Sequence, residues 1–143
     1  MKVFLGIIFF FVSICLQGQI KTPTDAMNKF DTFKRKEKFI KDKISHYAGV
    51  KDKNLRKTLS EKINLVADDF IELAKSGHVS EKAYQDKIKE GLERFREIKL
   101  ELDTEDREKI CLYVEELMDI VGLESSGGYL NLFMYGFDPT LKN

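Results

Sequence analysis

The chain of 143 residues has only two cysteines, and one of them, Cys15, lies in its apolar N-terminal stretch. If that stretch is removed, Cys111 stands alone, so an intramolecular disulfide framework is excluded. Cys111 has Ile110, Val114, Leu117 and Met118 around it at helical spacing, the setting of a buried, unreactive thiol. Histidine is equally scarce, with His46 and His78 the only two. His46 falls four residues after Asp42, too few ligands for a metal, and no Glu-x-x-His pair is present to build a di-metal centre. His78 follows Gly77 in an expected loop. HExxH, paired CxxC, EF-hand and phosphate-cradling glycine motifs are all missing, and with them the usual routes to metal or cofactor chemistry. Charge of one sign is not in excess either, since 24 basic residues meet 24 acidic ones.

Long apolar runs are missing everywhere except at the start. Lys2 is followed by an apolar stretch from Val3 to Ile14, broken only by Gly6 and Ser13, and then by small and polar residues. This is the layout of a secretory signal peptide, and the run falls short of the roughly 20 apolar residues needed to span a bilayer. The expectation is a signal peptide over residues 1–18 and a single domain over 19–143, secreted or periplasmic, with no membrane span after cleavage. Cleavage after Gly18, with Leu16 at −3, competes with cleavage after Cys15, with Ser13 at −3. Lipoprotein anchoring through Cys15 is the lesser alternative, because Ile14 is bulky where a small residue is expected.

The remaining chain can bury about two-thirds of its unfolded surface, enough for a core held by packing alone. Four helical segments are expected within it. The first starts near Thr22, with Pro23 at its first position, and carries Ala26, Phe30, Phe33, Ile40, Ile44 and Tyr47 as one stripe up to Gly49. Asp52 caps a second, with Leu55, Leu59, Ile63, Val66, Phe70 and Leu73 inward and Gly77 as its stop. Ser80 opens a third, with Tyr84, Ile88, Leu92, Phe95 and Ile98 inward and Gly91 marking a close helix contact. Asp103 or Thr104 caps a fourth bearing Ile110, Val114, Leu117 and Val121, where Gly122 supplies a left-handed stop and Leu123 its hydrophobic contact. Residues 129–135, YLNLFMY, suit a short helix or a strand. With no other strand expected in the chain, a fifth helix capped by Ser125 or Ser126 is the choice. The fold class is thus all-α, a four-helix bundle-like array with a short fifth C-terminal helix, preceded by a signal peptide.

The charge is balanced overall but not along the chain. Lys21 to Lys62 holds thirteen basic against six acidic residues, and Ile63 to Asn143 ten against eighteen. The basic half either packs beside the acidic one or forms a face for an anionic partner such as a nucleic acid or a membrane surface. The first reading is favoured, because the aromatics of the basic half fit a core stripe. Acid clusters occur at Asp68, Asp69 and Glu72 and at Glu115, Glu116 and Asp119, spacings that a charged helix surface readily produces. Two such acids could in principle act as general acid and base. Ser125 and Ser126 lack an evident base, and the serine–glycine stretch reads as a turn.

The stretches Thr104-Glu105-Asp106-Arg107-Glu108, Glu124-Ser125-Ser126-Gly127-Gly128, Leu130-Asn131 and Tyr135-Gly136-Phe137-Asp138-Pro139 resemble a bacterial domain-of-unknown-function family. Its members are small, mostly helical and often secreted. The resemblance covers about the last forty residues and implies the helical fold, but no activity, cofactor or catalytic residue. The functional expectation from the residues is a protein-binding module whose surface includes Tyr129, Asn131, Phe133, Tyr135 and Phe137, because aromatics dominate interfaces when exposed. It takes a protein partner and no nucleic acid, metal or cofactor. The alternative is a hydrolase acting on a cell-wall or surface polymer through paired carboxylates.

Overall fold

The computed structural model describes residues 18–137, so the expected signal peptide, Cys15 and Asp138-Pro139 lie outside the described residues. Five α-helices and one small sheet follow in the order β1 (Gln19–Lys21), α1 (Ala26–Arg35), α2 (Lys53–Ala74), β2 (His78–Ser80), α3 (Glu81–Glu93), α4 (Thr104–Val121) and α5 (Tyr129–Tyr135). The all-α expectation holds. The centre is α2, which packs against α1, α3 and α4, while α5 closes over α4 and α3. Phe30, Phe33, Leu59, Ile63, Val66, Phe70, Tyr84, Ile88, Ile110, Val114 and Leu117 meet in one continuous core.

Most helix ends form where the sequence marks them. The Asp52 carboxylate accepts from the N–H groups of Asn54 and Leu55, at 2.8 and 3.1 Å. Ser80 and Asp103 do the same for Ala83 and Asp106, so three helix starts have otherwise unpaired donors satisfied by a side chain. Gly122 is left-handed (φ 78°), and Leu123 N–H donates to Met118 C=O at 2.9 Å while Gly122 N–H reaches Asp119 C=O. That pair of bonds is a Schellman ending, with Leu123 buried beside it. Gly91 also serves as expected. A Cβ there would lie 2.7 Å from Val66 Cγ2, so its hydrogen allows α2 and α3 to approach.

The first helix departs from expectation at both ends. Thr22 does not cap it. Instead, Thr22 N–H donates to Gly77 C=O and its hydroxyl to Ala74 C=O, both at 2.9 Å, tying the N-terminal segment to the end of α2. Beside this tie, Gln19–Lys21 pairs antiparallel with His78–Ser80, so the described residues contain two strands where none was expected, and His78 lies in one of them. Three residues per strand are too few to show a period in the sequence.

At its other end α1 stops at Arg35, well before Gly49. Lys36 is extended, and Lys38 turns back so that its ammonium donates to the C=O groups of Phe33 (2.6 Å) and Lys36 (3.2 Å). A lysine head here occupies the carbonyl end of the helix, where positive charge is favoured. Only 3% of Lys38 is exposed. Phe39 then takes a left-handed backbone (φ 58°), buries its ring completely and donates its N–H to the Tyr113 hydroxyl at 3.0 Å. The loop returns through an Asp42–Tyr47 bridge and a Val50 N–H bond to Phe39 C=O. Ile40 and Ile44 are consequently on the surface, not in a helical stripe, and Phe39 takes the core place the pattern assigned to them.

Burial, followed by the charges of Lys36 and Lys34, pulls the Lys38 ammonium down to about 8. An unfolded lysine keeps its proton to about pH 10.5, so between these values the unfolded chain binds more protons and stability rises with pH. Burial, then Glu115, pushes the Cys111 thiol up to about 12, and this acts oppositely from about pH 9 upward, where an unfolded thiol ionises. We therefore expect Cys111→Ala protein to become more resistant to urea between pH 8 and 9.5, by an order of 1 kcal/mol. Adding Lys38→Met should abolish that rise. A rise that persists without Lys38 would assign it elsewhere.

Candidate functional site

The five residues of the expected surface all belong to α5 or its C-terminal extension, which Gly127 and Gly128 launch with two successive left-handed conformations (φ 68° and 82°). Gly128, not a serine, is the cap residue. The Ser125 hydroxyl accepts from Gly127 N–H at 3.1 Å, and Ser125 C=O accepts from the Gln85 amide at 3.1 Å, docking the turn on α3. The Ser126 hydroxyl lies at the limit of bonding, 3.5 Å from Leu130 N. Leu130 and Phe133 bury the inner face of α5. Under it sits Cys111, buried, with its sulfur 4.0 Å from Leu130 C=O. The native thiol should resist alkylation at pH 8 and react fully in denaturant, as a count of labelled cysteines by mass spectrometry will show.

The structure divides the expected surface into three parts. Tyr129 and Phe133 face α3 and, with Leu92 and Leu132, form the apolar floor of a groove of about 230 Å³. Asn131 lines a separate hollow against Glu115, Met118 and Asp119 of α4. Tyr135 and Phe137, each 61% exposed, stand at the far end with their ring centroids 6.4 Å apart. Leu132, half exposed, extends the apolar surface beside the groove.

The groove has a positive rim that sequence reading did not include. Lys89, Arg96 and Lys99 line it with Glu93, which pairs with Arg96 at 2.8 Å. Lys99 Nζ lies 4.8 Å from the centroid of the Phe133 ring and Lys89 Nζ 5.9 Å from that of Tyr129. Each cation therefore lies over a ring face, whose negative quadrupole attracts it. Lys89, Leu92, Glu93 and Arg96 recur at helical spacing along α3 and the turn after it. That spacing was available in the sequence; the opposing helix that makes it a groove was not.

Four of the six acids in the two clusters are held in ion pairs. Asp68 pairs with Lys34, Asp69 with Arg94 at 2.7 Å, Glu72 with Lys75 and Glu116 with Lys36. The first acid cluster is on α2 and the second on α4. His46 is exposed on the loop after α1 in a left-handed conformation (φ 56°), and the neighbouring Asp42 carboxylate accepts instead from Ile44 N–H and the Ser45 hydroxyl. Among the described residues no three Asp, Glu, His or Cys side chains gather as a metal site, and no helix is long and apolar enough to cross a membrane.

Fold and surface together define a small helical domain with an open, cation-rimmed groove along its last helix. The chain belongs to the family described as Domain of unknown function (DUF4844), whose model matches residues 21–138. The likeness thus extends far beyond the last forty residues. It is also similar to a DUF3571 family protein from Acinetobacter baumannii AYE, whose crystal structure it matches with a TM-score of 0.71 at 33% identity, over 78% of this chain and 89% of that one. No curated protein matches the chain.

Proposed function

We propose that the chain is a protein-binding module that takes an acidic, apolar peptide segment along the α3–α5 groove. One observation carries this reading: an apolar floor of Leu92, Tyr129, Leu132 and Phe133 lies beneath Lys89 and Lys99, neither of which has an acidic ion-pair partner among the described residues. Next to it Tyr135 and Phe137 offer further aromatic surface. The groove volume is below the roughly 300–1,000 Å³ of small-molecule sites, which suits one or two anchoring side chains of a partner. A buried apolar anchor supplies affinity, and the rim cations select for nearby carboxylates. The hydrolase alternative has less support, because four of the six clustered carboxylates are drawn into ion pairs.

The proposed setting is extracytoplasmic, on the strength of the signal-like first eighteen residues. Intact mass of the protein recovered from an exporting host tests this, with a start at Gln19 as the expected result. For the groove, the chain from Gln19 onward should enrich acidic, apolar peptides from a random display library. Leu132→Asp and Lys99→Glu should each weaken those peptides by about tenfold or more. Peptides indifferent to both substitutions would place binding elsewhere and overturn the reading.

A further inference from the structure

We propose that the loop between α1 and α2 docks the protein on an anionic lipid surface, with Ile44 as the inserting side chain. Ile44 is 94% exposed, more than any other large hydrophobic residue described before Leu100, and Ile40 beside it is 39% exposed. The loop itself holds Ile44 outward. The Asp42 carboxylate accepts from Ile44 N–H at 2.9 Å and the Ser45 hydroxyl at 2.7 Å, and Asp42 N–H donates to Tyr47 C=O at 2.9 Å. Behind it the Tyr47 ring is buried, and its hydroxyl donates to Asp106 at 2.6 Å. An aliphatic tip fixed in this way has little conformational freedom left to lose on insertion.

The surroundings of this tip are basic. Two shallow hollows share Lys36, Glu37 and Ile40, one extending to Lys41 and Lys43 and the other to Lys53 and Arg56. Those last four cations have no acidic ion-pair partner among the described residues. Of the acids here, Asp42 is engaged by its own loop and lies 3.6 Å from Lys109, leaving Glu37 as the one free carboxylate of the two hollows. A basic face with one protruding aliphatic residue matches an interface of anionic headgroups over acyl chains. Single-stranded nucleic acid would instead call for exposed aromatic rings to stack on its bases, and the aromatics of this region, Phe39, Tyr47 and Tyr113, are buried.

The test uses the chain from Gln19 onward, which contains every described element and the whole core and lacks the apolar leader that would itself enter lipid. It should co-sediment with phosphatidylcholine vesicles containing phosphatidylglycerol and remain in solution with phosphatidylcholine alone. Lys41→Ala with Lys43→Ala should weaken binding about thirtyfold, roughly fivefold for each lysine removed from the surface. Ile44→Ser should weaken it about tenfold and leave the dependence on salt unchanged, because it removes insertion and no charge. All three side chains are exposed, so unaltered helical circular dichroism is expected for each variant. Equal binding to neutral vesicles, wild-type binding by Ile44→Ser, or tighter retention on a single-stranded oligonucleotide than on anionic vesicles would each overturn the proposal.

Discussion

Replacing Gly49 with alanine should cost about 3 kcal/mol of folding stability, as measured by urea unfolding. Two effects add at this position. The backbone is left-handed (φ 78°), which costs a residue with a Cβ about 1 kcal/mol or more. The added Cβ would also lie 2.6 Å from Lys41 N and 2.8 Å from Ile40 C, both backbone atoms that a side-chain rotation cannot move. Gly122→Ala is the natural control. Its φ is also 78°, yet an added Cβ there meets nothing within 4 Å, so it should lose only the conformational part. If both alanines cost the same, the close approach of residues 40 and 41 to Gly49 contributes nothing.

Phe39→Ala should cost about 3 kcal/mol, the usual range for emptying a core site of a phenylalanine ring. The ring is wholly buried and meets Tyr113 edge-on at 5.1 Å. Phe39→Gly should be no worse and is expected to be about 1 kcal/mol more stable than the alanine variant. That reverses the ordinary order of the two substitutions, in which glycine costs more. The reason is the left-handed backbone at Phe39 (φ 58°), which glycine adopts freely and alanine does not. Guanidinium unfolding of the three proteins decides it; an alanine variant more stable than the glycine one would mean that the loop relaxes out of this conformation once the ring is gone.

Phe39 also explains where sequence reading stops. The stripe from Ala26 to Phe33 is correct because each residue answers to its own helical turn. Past Arg35 the same spacing continues through Ile40, Ile44 and Tyr47, and periodicity alone extends the helix to Gly49. What ends it is tertiary. The Tyr113 hydroxyl, on a helix far along the chain, receives Phe39 N–H and holds the chain out of the helix just where Lys38 turns back on the carbonyls of residues 33 and 36. No local pattern encodes the Tyr113 partner. By contrast Asp52, Ser80, Asp103 and Gly122 act on their immediate neighbours, and their roles were legible. The candidate surface divides in the same way: the aromatics of α5 were readable, whereas the cations facing them from α3 and the turns after it become partners only when these segments meet α5.

The pairing of β1 with β2 has a kinetic consequence. Gln19 finds its partner, Ser80, only after the whole of α1, the loop and α2 have been made. Closing so long a stretch of chain is entropically slow compared with winding either helix. During synthesis Gln19–Lys21 would therefore remain without its strand partner until residues 78–80 have emerged, so this edge of the fold closes after both of the helices between the strands can wind.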